Sequence, residues 1–416
     1  MMSLSYLNNN RNLGYHISLI LILVANTCFY TIDHIQTYEI VCIVGILISI
    51  FTCLQKKEVH FLADRGVGYL TVLYFMYTFY GLFFLRKNTY NWDMLLFTYV
   101  QNVCIYIVIR SYLKTGNLIK ELSVPVIISL LYIMFYMYIE NQEMILVAQV
   151  ETRIGDTMSG NVNSVGRSLG ILSFVLTLLY CKYKNPYIFA IVVPLVVLML
   201  LTGSKKVIII LVLDILTIYV YSRAKVGGFI KVGLLLAVLF WLVMDNSYFY
   251  EVIGKRVEDM FSTFTGSGSG DYSHSTDDRE GMLKEAFSLA WDYPLFGGGM
   301  NYYSYASKMY GDYGYSHCNY TEMLCNFGLF GFLIYYLPYF SHVRFFWKKR
   351  KANWSTFVFG TMWLVMALFL GWAMVAFSGI CINYLPIITS FAMIADMKER
   401  NKHVKTYNLK KALVKQ

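Results

Sequence analysis

Apolar runs of roughly 17–22 residues, about the length that crosses a bilayer as helix, recur along almost the whole of this chain. They place spans near 15–32, 38–54, 67–85, 92–109, 122–139, 164–181, 186–202, 207–221, 228–245, 319–339, 354–372 and 376–395. With 57% hydrophobic and 14% charged residues, the chain falls outside the soluble globular class. The expected fold is an all-α polytopic integral membrane protein with about twelve transmembrane helices.

Basic residues give the orientation. With the N-terminus inside, the inner connections and tail hold 24 of the 35 Lys and Arg, among them Lys56, Arg65, Arg110, Lys182, Arg344 and seven after Asp396. That bias favours both termini in the cytoplasm. It accounts for the net charge of +10 without nucleic acid, and the Lys-rich tail 398–416 reads as a topology signal on anionic headgroups. The first apolar run lacks a small-residue cleavage site and reads as a signal anchor. The eight cysteines are scattered without a C-x-x-C pair, so neither a disulfide framework nor a metal site is expected.

This divides the chain into a transmembrane bundle over 1–245, an external loop or cap over 246–318, further transmembrane helices over 319–397 and a basic tail. Inside the first bundle, 140–163 is a second external segment. In the cap, Asp277 with Glu280 three residues on reads as a helix start, Pro294 as its stop and Gly297-Gly298-Gly299 as a turn. The tyrosines that follow, Tyr302 to Tyr315, suit an aromatic interface belt and equally the stacking of sugar rings. Asp214, inside an apolar span, is costly in lipid and should find its partner on another helix.

Ser316-His317-Cys318-Asn319-Tyr320-Thr321-Glu322 closes the cap and opens a Gly-containing apolar helix. A histidine at such a boundary can hold a proton near neutral pH, or simply anchor the helix end. Of the seven histidines, His16, His60, His342 and His403 fall on the inner side, His34 lies far from any cation cluster, and His274 follows the flexible Gly-Ser run. His317 alone combines external placement with a fixed helix-start position.

The same side carries Arg153, Arg167, Lys205, Lys206 and Arg279. Lys205 and Lys206 lie in an outer turn, where the charge rule expects few lysines, so something anionic should hold them: a lipid headgroup or a substrate. Several cations around one potential base suit displacement of a phosphate leaving group by a hydroxyl. The cations would stabilise the developing charge and His317 would take the acceptor proton. No Asp-x-Asp or His/Asp cluster stands near these groups, so metal-independent chemistry without a cofactor is expected. Glu322 is expected to help orient the imidazole.

At these residues the chain resembles the O-antigen polymerase and O-antigen ligase group of bacterial membrane glycosyltransferases. Thr152-Arg153-Ile154-Gly155 followed by Asn161-Val162-Asn163 is similar to the family's Arg-then-Asn external segment, with Val162 where Pro is usual. Leu201-Thr202-Gly203-Ser204-Lys205-Lys206 is similar to its Gly-Ser-Arg turn. Arg279 followed by Pro294-Leu295-Phe296-Gly297 and Gly299 resembles its Arg and Pro-x-x-Gly-x-Gly stretch. His317, Asn319, Glu322, Gly328 and Gly331 resemble its His-Asn, Glu and Gly pattern, with one residue inserted between His and Asn.

The resemblance implies a GT-C-like membrane enzyme performing an inverting glycan transfer from an undecaprenyl-diphosphate carrier to a sugar hydroxyl. It implies His317, Arg279 and Arg153 as catalytic residues, with Lys205, Lys206, Arg167, Asn163, Asn319 and Glu322 binding the pyrophosphate and substrates. The implied partners are lipid-linked oligosaccharide donor and acceptor, membrane lipids and a chain-length regulator protein, in the bacterial cytoplasmic membrane. A polysaccharide polymerase is the favoured expectation and a ligase of the same fold the alternative. A lipid-linked glycan flippase, from another class, is disfavoured by the large loop and the clustered external cations.

Overall fold

The computed structural model describes residues 12–31, 33–85, 92–142, 162–202, 204–223, 271–308, 315–372, 374–377 and 380–413, with scattered positions between 230 and 258. It is 85% helical. Among the described residues no strand forms, and a single isolated bridge joins Leu85 to Met300. The helices are α1 Leu13–Val24, continued as a π-turn to Phe29, α2 Ile35–Gln55, α3 Arg65–Phe83, α4 Trp92–Lys114, α5 Leu118–Glu140, α6 Val162–Tyr183, α7 Phe189–Leu201, α8 Lys205–Ser222, α9 Asp271–Ala290, α10 Tyr302–Ala306, α11 Asn319–Lys349, α12 Trp354–Trp372 and α13 Leu385–Leu413. Seven of these are long and apolar enough to cross a membrane, and α1 and α7 are shorter apolar helices. This is an all-α polytopic membrane protein. The span expected over 228–245 lies largely outside the described residues.

The helix at the centre is α6. It packs against α5, α7, α8 and α12 and is buried along most of its length. Its small residues permit this: a Cβ at Gly166 would lie 2.8 Å from Thr202 Oγ1 and 3.0 Å from Val207 Cγ2. Without hydrocarbon–water contrast between helices, such close approach is what holds them together. It brings the start of α6 against the turn into α8. Asp214 of α8 finds its partner across that same interface, accepting from Ser173 Oγ at 3.0 Å.

The connections expected on the inner side do assemble at one end. Buried Arg110 on α4 bonds Asp64 before α3 at 2.7 Å and Glu399 on α13 at 2.9 Å, and its guanidinium stacks over Phe61. Lys114 pairs with Glu58 at 3.5 Å. Arg400 donates to Leu113 O at 2.9 Å.

Two local expectations need correction. The cap helix α9 starts at Asp271, so Asp277 lies well inside its backbone instead of capping it. An earlier start lets nearly two more turns of backbone hydrogen bonds form. The last span, expected over 376–395, is helical only from Leu385. Pro386 in the first turn of α13 has no N–H to offer a preceding turn, which suits a helix start. Residues 374–377 are irregular and Cys381–Tyr384 form one turn of 3-10 helix.

Candidate functional site

The end of the molecule opposite the Arg110 network carries the residues singled out for chemistry. His317 sits at φ 58°, a left-handed conformation that histidine adopts more readily than most residues but that still costs roughly 1–2 kcal/mol. The residue before it is pinned. Ser316 N donates to Glu322 Oε2 at 2.7 Å, and Ser316 Oγ donates to Cys318 O at 3.1 Å. Glu322 is buried in the first turn of α11 and also accepts from Asn326 Nδ2 at 3.4 Å. The expectation that Glu322 orients His317 therefore takes an indirect form: the carboxylate fixes the turn, and the turn aims the ring.

The imidazole is half-buried and stands against Tyr315, with ring centroids 4.3 Å apart and planes at 52°. Among the described residues its nitrogens make no hydrogen bond, so they remain open to a substrate. Burial, then the charges of Arg279 and Lys206, push its pKa down from 6.5 to about 4. At neutral pH it is a neutral base facing two cations. Burial likewise raises Tyr315, while Arg279 and Arg167 pull it back.

Arg167, on the first turns of α6, is the deepest of these cations at 7% exposed. Its Nη1 donates to Met374 Sδ at 3.1 Å, a weak acceptor. Its Nε is buried without a hydrogen-bond partner, and among the described residues no carboxylate pairs with it. Ser204 Oγ, packed against Gly166, is also buried without a partner. A buried guanidinium in this condition is expensive until an anion meets it.

Asn319 does something the sequence does not announce. Its Oδ1 accepts from Ala376 N at 2.7 Å and Phe377 N at 3.0 Å, and its Nδ2 donates to Tyr336 Oη at 2.6 Å. Tyr384 Oη completes the arrangement by donating to Phe377 O at 2.5 Å. Irregular backbone at membrane depth survives only when protein groups satisfy it in this way. Asn319 thus holds the 374–377 segment whose Met374 contacts Arg167.

The structure thus brings Arg167, Lys206, Arg279 and His317 to one locality, with Glu322 and Asn319 behind them. Arg279 is exposed on the outer part of α9. Asn163 is half-buried in the first turn of α6. Lys205 opens α8, but its side chain lies outside the described residues, as does all of Arg153. Tyr315, Ser316 and Met374 are site residues whose roles the sequence does not reveal; their only signals are proximity to His317 and, for Met374, none.

Residues 189–336 match the family model described as O-antigen ligase, and this match supports the O-antigen ligase and polymerase family. It spans Lys205, Lys206, Arg279, His317, Asn319 and Glu322; Arg153, Asn163 and Arg167 lie before it. No curated protein matches the chain.

Proposed function

From the O-antigen ligase and polymerase family that this match supports, we propose that the chain is a polysaccharide polymerase acting at the outer face of the bacterial cytoplasmic membrane. Donor and acceptor are oligosaccharide units on undecaprenyl diphosphate. The observation that carries this reading is Arg167, a buried guanidinium without a carboxylate partner among the described residues, beside two further cations and a neutral imidazole. Such a group fits a diphosphate, whose oxygens accept from guanidinium N–H groups.

In the proposed reaction the acceptor hydroxyl oxygen attacks the anomeric carbon from the face opposite the diphosphate. The bond from that carbon to the diphosphate oxygen breaks, and its electron pair leaves with the phosphate. His317 takes the hydroxyl proton as the oxygen loses it. Arg167, Arg279 and Lys206 meet the negative charge that builds on the leaving group. Binding the anion also offsets the charges that depress the imidazole, so its basicity rises when a proton must be taken. The imidazolium then gives its proton to solvent, favoured by the neighbouring cations, and the ring returns to its neutral form. Arg153 and Lys205 are proposed to add to the same anion site, and Asn163 to bind sugar or phosphate beside it. A chain-length regulator is a proposed partner, and both termini are proposed to lie in the cytoplasm.

The ligase reading rests on the description of the matching family, which names that activity. Purified protein in vesicles, supplied only with undecaprenyl-diphosphate-linked oligosaccharide, separates the two. A polymerase elongates that substrate and releases undecaprenyl diphosphate. If release and elongation occur only when a different acceptor is added, the ligase reading replaces the polymerase reading.

A further inference from the structure

The second half of α9 and the turn after it run beside the first turns of α11. Met282 and Ala286 pack under Tyr302, Tyr303 and Cys325, and Cys325 Sγ donates to Ala286 O at 2.8 Å. Beyond α9 the backbone is tied to α11 itself: Leu329 N donates to Pro294 O at 2.9 Å, and Phe330 N to Leu295 O at 3.0 Å. The two chains meet at Gly328, whose φ of 60° kinks α11 and where a Cβ would lie 2.5 Å from the Leu295 carbonyl and Gly297 N.

Two independent counts give the depth of this contact. A crossing takes about 20 residues. Counted back from Arg344 at the basic end of α11, it puts the hydrocarbon boundary near residue 324, so that Leu329 lies about 8 Å inside at 1.5 Å per residue. Counted forward from Arg65 it reaches residue 85, so that Tyr80 also lies about 8 Å inside. Tyr80 Oη donates to Phe296 O at 2.7 Å. Yet among the described residues nothing shelters the corner: Trp291, Leu295 and Phe296 are 68%, 61% and 63% exposed. Phe296 contacts Phe330, ring centroids 5.9 Å apart, and Phe330 is itself on the exposed face of α11.

We propose that residues 291–296 form a re-entrant corner immersed in the acyl chains of the leaflet on the His317 side, anchoring α9 in the membrane. The loop expected to sit wholly outside thereby dips back into the bilayer. Its apolar tip continues the lipid-facing surface of α3 and α11, which argues for lipid as its occupant. Its Pro294, Leu295 and Phe296 carbonyls are satisfied by protein donors, which lowers the cost of non-helical chain at that depth. Tyr293 to Met300 carry no charge, and nearby Asp292 accepts from Tyr302 Oη at 2.8 Å.

The test reads location, not activity, and so stands apart from the proposed reaction. All eight native cysteines are buried, which allows selective labelling of Leu295→Cys, Phe296→Cys and, on the exposed outer part of α9, Glu280→Cys. The bimane-labelled full chain is reconstituted in phosphatidylethanolamine–phosphatidylglycerol vesicles, with and without phosphatidylcholine carrying a doxyl group high on its chain. Labels at 295 and 296 should be quenched several-fold more by doxyl lipid than the label at 280, and several-fold less by aqueous iodide. Strong iodide quenching at 296 would overturn the proposal, and so would quenching by neither agent, which would mean a protein partner covers the corner. Unlabelled protein provides a further reading should labelling unfold the variants: brominated-lipid quenching of tryptophan should fall in Trp291→Tyr, and an unchanged signal would contradict the anchor.

Discussion

His317 and Tyr315 face each other across a turn that Glu322 ties down from inside α11, their rings 4.3 Å apart. The tilted ring contact packs the imidazole against Tyr315, and burial, then the charges of Arg279 and Lys206, set its electrostatics. The rigid turn and the depressed basicity together make the site sensitive to any charge removed nearby.

Removing Arg279 should therefore shift the acid limb of kcat/KM upward in pH. Burial, Arg279 and Lys206 hold His317 at about 4, and the reaction needs the neutral ring, so rate is lost as pH falls through that value. Arg279→Ala deletes one repulsive charge and raises the pKa, bringing the loss on at higher pH. A pH profile of kcat/KM for both proteins checks this. An unmoved limb would show that another group governs it.

Arg167→Met should move stability and activity in opposite directions. Replacing a buried, unpaired charge with an apolar side chain is neutral or stabilising, by about 1–4 kcal/mol when whole ion pairs are replaced. Losing the same group from the diphosphate site should cost about 2–4 kcal/mol of transition-state stabilisation, as for one oxyanion donor. Melting in detergent and kcat/KM, measured on one preparation, give both signs. A variant that loses both together would mark Arg167 as structural.

Asn319→Ala should destabilise the protein by about 1–3 kcal/mol, because it strands the Ala376 and Phe377 N–H groups. Activity should fall in kcat/KM as well, since Met374 and Arg167, proposed to bind the diphosphate, lose their support. Thermal melting with steady-state kinetics tests it, and wild-type melting would show that the segment is held by other groups.

At the far end, Asp64→Ala removes the 2.7 Å partner of Arg110, which is 3% exposed. Leaving that guanidinium short of a partner should cost about 3 kcal/mol or somewhat less, since Glu399 still bonds it. Lower melting with unchanged kcat is expected, because this network is remote from the cations around His317.

The apolar runs made most helices readable, because a bilayer imposes one length and one periodicity on every crossing. Arg167, Lys206, Arg279 and His317 could be picked out as candidates for a related reason: charge in a chain this apolar is scarce enough to stand out. Asn319 was visible as a polar residue opening α11, but the N–H groups that donate to it lie 57 and 58 positions away, where no local pattern records them. The late start of α13 was hidden because residues 376–384 are as apolar as a helix would be. Pro386 suits a helix start, but the irregular backbone before it is held by Asn319 on another element. The dip of Phe296 was hidden similarly, since its depth comes from hydrogen bonds to α3 and α11 and not from its own run of residues.

The central claim, that His317 is the base for glycosyl transfer from a lipid diphosphate, meets its most direct test in one comparison. Wild type and His317→Ala, matched for folded protein and supplied with undecaprenyl-diphosphate oligosaccharide and an acceptor, are assayed for the rates of undecaprenyl diphosphate release and of glycan bond formation. Loss of a general base predicts a rate lower by roughly 100- to 10,000-fold, with melting unchanged or slightly lowered, because alanine fits the left-handed backbone at φ 58° no better than histidine does. Wild-type rates of release and bond formation from His317→Ala would contradict the account and leave this histidine an anchor of the α11 helix end.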